Sequence, residues 1–279
     1  TGTPIPNHYI DVFNLFDFLW PENAPINRDN KIQIESDAEK ENFAMASQRL
    51  RECIDPLFYR VRKRDLKLKP QMFNEPYLIE MNSCEKRLYE AIRNSIAALS
   101  QKDYLLNADT LEKLKRGRMI RLRQCVSYAK LLENALDDYS EELIENNNDL
   151  RTLIYNYDEL ETPSKIEFLI KFLKEFILEN KKIVIWSNFI GTIRKIEKTL
   201  EENKIVSRKI IGETPTVSKG LEEEENREKI IEMFISEDSG VNVLIANPAA
   251  CAESISLHKT CHDALYYDLS YNCAQYLQS

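Results

Sequence analysis

Glycine is scarce in this chain of 279 residues, with six in all, at 2, 117, 191, 212, 220 and 240. None falls in a GxxxxGK[ST] pattern, so the sequence carries no phosphate-cradling P-loop. No apolar run reaches ~18 residues and no secretory leader is recognisable, so neither a membrane span nor a processed signal is expected. The six cysteines, at 53, 84, 125, 251, 261 and 273, include no CxxC pair. That usage fits reduced thiols and a cytoplasmic protein. Cys251, His258, Cys261 and His262 lie close together but match no standard zinc spacing, so no metal is expected. Positive charge is not in excess either: 38 Lys and Arg stand against 46 Asp and Glu, a net charge of −8. A strongly basic nucleic-acid binder is thereby disfavoured for the chain as a whole, although local patches decide phosphate contacts.

Hydrophobic residues make up 43% and charged residues 30%, the balance of a soluble globular protein with one large or two small cores. Tyr9 to Leu19 reads as an amphipathic helix, and Asp37 to Arg64 as helical with mixed charge. Arg60, Arg62, Lys63, Arg64 and Lys67 form the densest basic stretch. It is either a solvated helix face or a phosphate-contacting segment. Tyr77 to Met81 reads as a short strand after Pro76. From Cys84 to about Asn146 apolar residues recur at helical spacing (Leu88, Ile92, Ile96 and Leu99, then Leu122, Val126, Leu131 and Leu132). The stretch is expected to be a helical insertion, closed by a turn or a frayed end at Asn146 to Asn148. Arg116, Arg118, Arg121 and Arg123 place a second basic cluster inside it.

Beyond Thr162 the pattern turns to alternating strands and helices. Thr162 is the expected N-cap of a helix with Pro163 at its first position, and Phe168, Leu169, Phe172, Leu173, Phe176 and Ile177 supply its apolar face. Strands are expected at Ile183 to Trp186, Arg208 to Ile211, Val241 to Ala246 and Ala264 to Asp268. The intervening helices run from Thr192 to about Asn203 and from Asn226 to Phe234. Glu222 to Glu225 reads as a solvated linker. Apolar strands alternating with amphipathic helices predict an α/β fold, a mainly parallel sheet covered on both faces.

Ligands of open parallel sheets bind beyond the carboxyl ends of the strands. The residues that follow the first three strands are Ser187-Asn188-Phe189, Gly212-Glu213-Thr214 and Asn247-Pro248-Ala249. Hydroxyls, amides and helix N-terminal N–H groups suit phosphate oxygens. The same residue types cap helices everywhere, and a nucleotide or sugar phosphate fits these loops as well as a nucleic-acid backbone does.

The order of segments resembles the Swi/Snf-type ATP-dependent DNA translocases of helicase superfamily two. Thr1-Gly2-Thr3-Pro4 through Pro21 looks like motif III and its following helix. Asp55 to Leu66 resembles the segment ending RRTKxDV, and Lys69 to Tyr89 the PPK…LSxxQxxLY stretch. Ser164-Lys165 with Ile183 to Phe189 is similar to the SxKL helix and motif IV. Arg208 to Thr214 with Arg227 to Phe234 resembles RxDGST…R…IxxF. Asn247 to Leu257 aligns with motif V, Tyr267 to Asn272 with YDPxWN, and Gln278 with the start of motif VI. Motif V departs from KAGGEGLNL, having Ala, Cys and Ser at expected glycines. Ser187-Asn188-Phe189 stands for SQF and Gly212-Glu213-Thr214 for GST, which points to a divergent, bacterial or phage-related motor.

The resemblance implies a RecA-like three-layer lobe with a helical insertion and a helical N-terminal segment, cut from a longer two-lobed motor. The expected divisions are 1–70, the end of a first lobe and an inter-lobe helical segment; 71–85, a first strand region; 86–150, the helical insertion; and 162–279, the second lobe, truncated in motif VI. It implies duplex DNA as a backbone-held, non-sequence-specific partner, with Ser187, Asn188, Gly212, Thr214 and Asn247 on nucleic acid and Arg60, Arg62, Lys63 and Arg64 as further basic contacts. Thr1, Gly2 and Thr3 would couple hydrolysis to lobe closure, and Glu253 and Gln278 would face ATP. ATP and Mg2+ belong to the parent protein, and this stretch alone is not expected to hydrolyse ATP. A first lobe and other protein subunits are the remaining partners implied. The alternative is a non-catalytic RecA-like interaction module of a DNA defence, restriction or repair assembly.

Overall fold

The computed structural model describes residues 8–59, 61, 65, 69–100, 108–133, 148–215, 226–251, 257–272, 276 and 279, without the side chains of 95–100 and 108–115. The Asn146-Asn147 turn, the Glu222–Glu225 run, and the side chains of Ile96 and Leu99 lie outside that set. The chain forms two compact units, Thr1–Pro76 and Tyr77–Ser279.

In the first unit three helices follow one another: α1 (Tyr9–Leu19), α2 (Arg28–Glu39) and α3 (Phe43–Ile54). Val12, Phe13 and Phe16 fall on one face of α1, and with Ile26, Ile34, Ala46, Leu50 and Ile54 they close an apolar core. The expected helical run from Asp37 is interrupted. Glu41 takes a left-handed conformation (φ 58°), which no helix interior accommodates, and Asn42 caps a new helix by accepting from Met45 N–H at 3.4 Å. Helix α3 ends at Ile54, two residues before Pro56, as proline's effect on its predecessor requires.

The second unit begins with an extended segment, not the strand expected at Tyr77 to Met81. Leu78 is 97% exposed, and Tyr77 lays its ring on Phe168 and Phe172, 4.8 and 5.9 Å between centroids. The segment thus packs by one aromatic side chain on the outside of a helix, and the alternation that suggested a strand has no sheet to face. Helices α4 (Ser83–Ser100), α5 (Ala108–Ser127), α6 (Asn148–Tyr155) and α7 (Tyr157–Leu160), with a 3-10 turn at Ala129–Glu133, make a helical subdomain. Leu88 and Ile92 of α4 meet Leu122 and Cys125 of α5, and Tyr128, Leu132, Leu150, Ile154 and Tyr157 complete that core.

Helix α8 (Ser164–Leu178) leads into a four-stranded sheet of β1 (Ile183–Trp186), β2 (Ser207–Ile210), β3 (Val243–Ala246) and β4 (Asp263–Tyr266). The order is β2-β3-β1-β4, parallel throughout, with Ile183 opposite both Val243 and Asp263. Helices α9 (Ile190–Glu202) and α10 (Arg227–Ile235) and the single turn α11 (Pro248–Cys251) fill the connections. Side chains alternate across the two faces as the period of a strand demands. Ile183, Ile185, Val243 and Ile245 pack against α8 and α9, while Val184, Trp186, Leu244 and Ala246 pack against α10. All four residues of β1 and of β3 are buried, the mark of central strands covered on both sides. This is the three-layer α/β arrangement that the sequence pattern predicts.

One boundary differs for an instructive reason. Pro163, not Thr162, occupies the N-cap of α8 and offers no side-chain acceptor. The acceptor comes instead from Glu85 on α4, which takes the Ser164 N–H at 3.0 Å and the Ser164 hydroxyl at 2.7 Å.

Candidate functional site

Parallel strands bring all four carboxyl ends to one edge of the sheet. Ser187 and Asn188 follow β1, Gly212 and Thr214 follow β2, Asn247 follows β3, and Asp268 follows β4. The side chains there are tied to one another. Ser187 donates its hydroxyl to Asp268 Oδ2 at 2.6 Å, and Asn188 donates both its backbone and its side-chain N–H to Asp268 Oδ1 at 2.8 Å. Asn247 spans the gap from β3 to β1, donating to the Ser187 and Asn188 carbonyls at 3.2 and 3.1 Å. Its own oxygen accepts from Ala249 N–H at 3.0 Å and so starts α11.

The loop after β2 is held differently. Thr214 Oγ1 accepts from Ile211 N–H at 3.0 Å, closing a tight turn around Gly212. Arg227, at the first position of α10, donates to three carbonyls: Thr214 at 3.1 Å, Ala250 at 3.0 Å and Ile211 at 3.4 Å. A planar guanidinium fork suits such divergent acceptors, and here it joins the β2 loop to α11.

Of the sequence-named residues, Ser187 and Asn247 are therefore buried and turned inward, at 0% and 8% exposure. Asn188 and Thr214 are half-buried and Gly212 is exposed, so these three form the outer surface of the edge. A Cβ at Gly212 meets nothing within 4 Å. Thr1, Gly2, Thr3, Arg60, Arg62, Lys63, Arg64, Glu253 and Gln278 lie outside the described residues. From the second basic cluster, Arg123 reaches this edge. It donates to the Leu269 carbonyl, and its guanidinium lies 5.4 Å from the Phe189 ring and 5.1 Å from the Tyr271 ring.

The electrostatics around the edge follow from burial. Lys165 donates to the Tyr267 carbonyl at 3.1 Å; desolvation lowers its pKa, and the nearby charges of Asp268 and Glu85 only partly restore it. Burial, with Asp268 and Glu85 beside it, drives Tyr267 well above the ordinary phenol value. Burial also pushes the Cys251 thiol up to about 12, against a smaller opposing effect of Arg227. Cys251 is thus a protonated packing residue at neutral pH.

Asp268, Ser127 and Arg227 carry the site's internal order, and loop chemistry read along the sequence does not single them out. Asp268 is 81 positions from the Ser187 it holds, and Ser127 is 141 positions from Asp268. The one available signal was an acidic residue at the end of an apolar strand, where a buried carboxylate needs donors from elsewhere.

Comparison with known proteins agrees with this architecture. Residues 1–138 match the SNF2-related domain. An uncharacterized ATP-dependent helicase of Mycoplasma genitalium is 23% identical over 275 residues, which is 98% of this chain and 23% of that protein. Over residues 1–138 the chain is similar to SNF2-related domains. The SNF2 domain-containing protein CLASSY 4 of Arabidopsis thaliana is 32% identical over a shorter stretch of 109 residues, covering 39% of this chain and 9% of that protein. The chain spans about a quarter of the length of the Mycoplasma relatives it matches, 23% in each. Among solved structures, the Hef helicase domain of Pyrococcus furiosus superposes with a TM-score of 0.51 at 15% identity, over 83% of this chain and 57% of that one. That likeness concerns the fold alone. No helix among the described residues is long and apolar enough to cross a membrane.

Proposed function

We propose that this chain serves as the second motor lobe of an ATP-dependent, DNA-stimulated helicase or translocase acting in the cytoplasm. Its strand-end loops hold the phosphate backbone of duplex DNA. The observation that carries the reading is the carboxyl edge of the sheet. Asn188, Gly212 and Thr214 form its outer surface, Ser187 and Asn247 fix the loops from within, and the Arg123 guanidinium lies alongside. Amides, hydroxyls and backbone N–H groups of this kind contact phosphate without reading bases, so no sequence preference is expected. The names of the relatives, an ATP-dependent helicase and an SNF2 domain-containing protein, support the same class.

Within this proposal, 1–70 closes a first lobe and bridges to the second, 71–85 and 86–150 are the entry segment and helical insertion, and 162–279 is the motor lobe. Thr1 to Thr3 couple the lobes, and Arg60, Arg62, Lys63 and Arg64 add backbone contacts. Glu253 and Gln278 face the nucleotide. The residues of this chain do not by themselves fit ATP and Mg2+. The sequence has no P-loop, and the described residues include no group of three acidic, histidine or cysteine side chains able to hold a metal ion. A first lobe supplies those groups in this reading.

The test is ATP hydrolysis by the full-length protein with and without duplex DNA, using the 279-residue chain as the control. Stimulation by duplex in the long form and no hydrolysis by the chain alone are expected. Absence of hydrolysis by the long form under both conditions overturns the motor reading in favour of an interaction module.

A further inference from the structure

The roles above leave Asp268 unused, yet it is the most connected side chain at the edge. The residue is 7% exposed. Oδ2 accepts from the hydroxyls of Ser187 at 2.6 Å and Ser127 at 3.0 Å, and Oδ1 accepts from the two N–H groups of Asn188. A carboxylate offers about four lone-pair sites, so its accepting capacity is full. Neither a metal ion nor a substrate proton has a place left on it.

The proton count fixes the direction of the network. A hydroxyl has one proton, and that of Ser127 goes to Asp268. At the 2.8 Å contact between the Ser127 and Thr192 hydroxyls, Thr192 is therefore the donor. A single donor chain runs from α9, through the last residue of α5, into a carboxylate on the end of β4, and that carboxylate holds the loop after β1. Ser127, Thr192 and Ser187 are all sealed from solvent, at 1%, 0% and 0% exposure.

Two further contacts bind the helical subdomain to the same place. The Tyr267 hydroxyl donates to the Ser127 carbonyl at 2.9 Å. Leu131, on the turn that follows α5, packs so closely on the first turn of α9 that a Cβ at Gly191 would lie 2.5 Å from its Cδ2. Nothing in this arrangement is needed for the sheet itself, whose core is closed by α8, α9 and α10.

We infer that Asp268 and Ser127 are positioning residues through which the helical subdomain sets the conformation of the Ser187–Asn188 loop. The consequence for binding, that the subdomain governs how tightly this edge holds a nucleic-acid backbone, rests on the motor-lobe reading; the positioning itself does not.

The experiment uses Ser127→Ala and Asp268→Asn in the full-length protein. The first removes the hydroxyl link between the helical subdomain and Asp268 and leaves the loop bonded to the carboxylate. The second keeps the shape but presents an NH2 group to two hydroxyls and so reverses the donor chain. Amide hydrogen exchange over 187–192 is expected to speed up about tenfold in Ser127→Ala, the ratio that ~1.4 kcal/mol produces. Exchange in β3 should stay unchanged. Should Asp268→Asn unfold the protein, Ser127→Ala alone decides. Unchanged exchange over 187–192 in Ser127→Ala, or an equal rise in β3, overturns the positioning role. On the binding side, the duplex concentration giving half-maximal stimulation of hydrolysis should rise about fivefold, with the rate at saturating duplex preserved. A fall in the saturated rate without a change in half-saturation overturns the consequence for binding. A wild-type protein indifferent to duplex defeats the motor-lobe reading, and the exchange result still decides the positioning.

Discussion

Glu85 and Glu161 exchange helix caps. Glu85, on α4, accepts the first N–H of α8 and the Ser164 hydroxyl, at 3.0 and 2.7 Å. Glu161, just before α8, accepts the Cys84 N–H at 3.0 Å and the Ser83 hydroxyl at 2.5 Å at the start of α4. Each helix is started by a carboxylate from the other's neighbourhood, and each carboxylate sits at the positive end of the helix it caps. The helical subdomain and the sheet layer are joined by this swap as well as by packing.

The two members of the swap differ in depth. Glu85 is 2% exposed and also accepts from the Tyr157 hydroxyl at 2.9 Å and Asn82 N–H at 3.0 Å. Glu85→Ala leaves three buried donors and one half-buried donor without an acceptor and is expected to destabilise the domain by about 3 kcal/mol. Glu85→Gln keeps the volume and one acceptor oxygen, and should lose about half as much. Denaturant titration of both variants checks the ratio. A Glu85→Gln variant as stable as wild type beside a destabilised Glu85→Ala would mean that packing, not the swapped cap, dominates.

Acid should weaken the same junction. Burial works to raise Glu161 and Asp158. Hydrogen bonds from Ser83 and Cys84 to the first, and from Lys195 and Tyr128 to the second, outweigh it and hold both below their ordinary values of 4.5 and 3.8. The native state binds these protons less tightly than the unfolded chain does. The stability they contribute is complete above the ordinary values and is lost as pH falls through the lowered native ones. Unfolding midpoints are thus expected to be level in this respect between about pH 7 and pH 5, then to drop below about pH 4. Lys195→Met, which removes the 2.7 Å ion pair with Asp158, should flatten part of that drop.

These junctions show where sequence reading succeeds and where it stops. The four-residue run Ile183 to Trp186 is apolar at every position, and the structure makes it a central strand with those bounds. The helix expected from Asn226 to Phe234 forms as α10, one residue later at each end, with Asn226 accepting from Lys229 N–H at 2.8 Å as its cap. Both are local patterns. The swap of Glu85 and Glu161 and the Asp268 hub are not, because their partners lie between 77 and 141 positions away. Tyr77 to Met81 misled for a related reason. An alternating pattern states which residues are apolar, and only tertiary context decides whether a sheet or the flank of α8 receives them.

Gly191 tests how closely the turn after α5 is docked. The 2.5 Å approach of a Cβ there to Leu131 Cδ2 involves the far end of a flexible side chain, so Leu131 can rotate away. Alanine also has the better helix propensity, by about 1 kcal/mol. Gly191→Ala is therefore expected to lie within about 1 kcal/mol of wild type, whereas Gly191→Val should destabilise by about 2 kcal/mol through overpacking. Adding Leu131→Ala should relieve most of the valine penalty. A double-mutant cycle with no coupling between the two sites would show that the turn does not press on α9 in solution.

Arg227 separates geometry from charge. Its three N–H bonds run to carbonyls of Ile211 and Thr214 at the β2 loop and of Ala250 in α11. Lysine keeps the charge but has no fixed fork, so Arg227→Lys should retain at most part of this bracing. The expected loss is about 1 to 2 kcal/mol of stability, with faster amide exchange around Gly212 and Ala250. Under the motor-lobe reading these two segments brace the surface that meets the DNA backbone, so half-saturation by duplex should also shift upward. The variant conserves charge, and the slope of log affinity against log salt should therefore stay as in wild type. In the charge-removing variant Arg227→Met, a slope reduced by about one would mean that Arg227 itself contacts phosphate, and the bracing role would give way to a direct one.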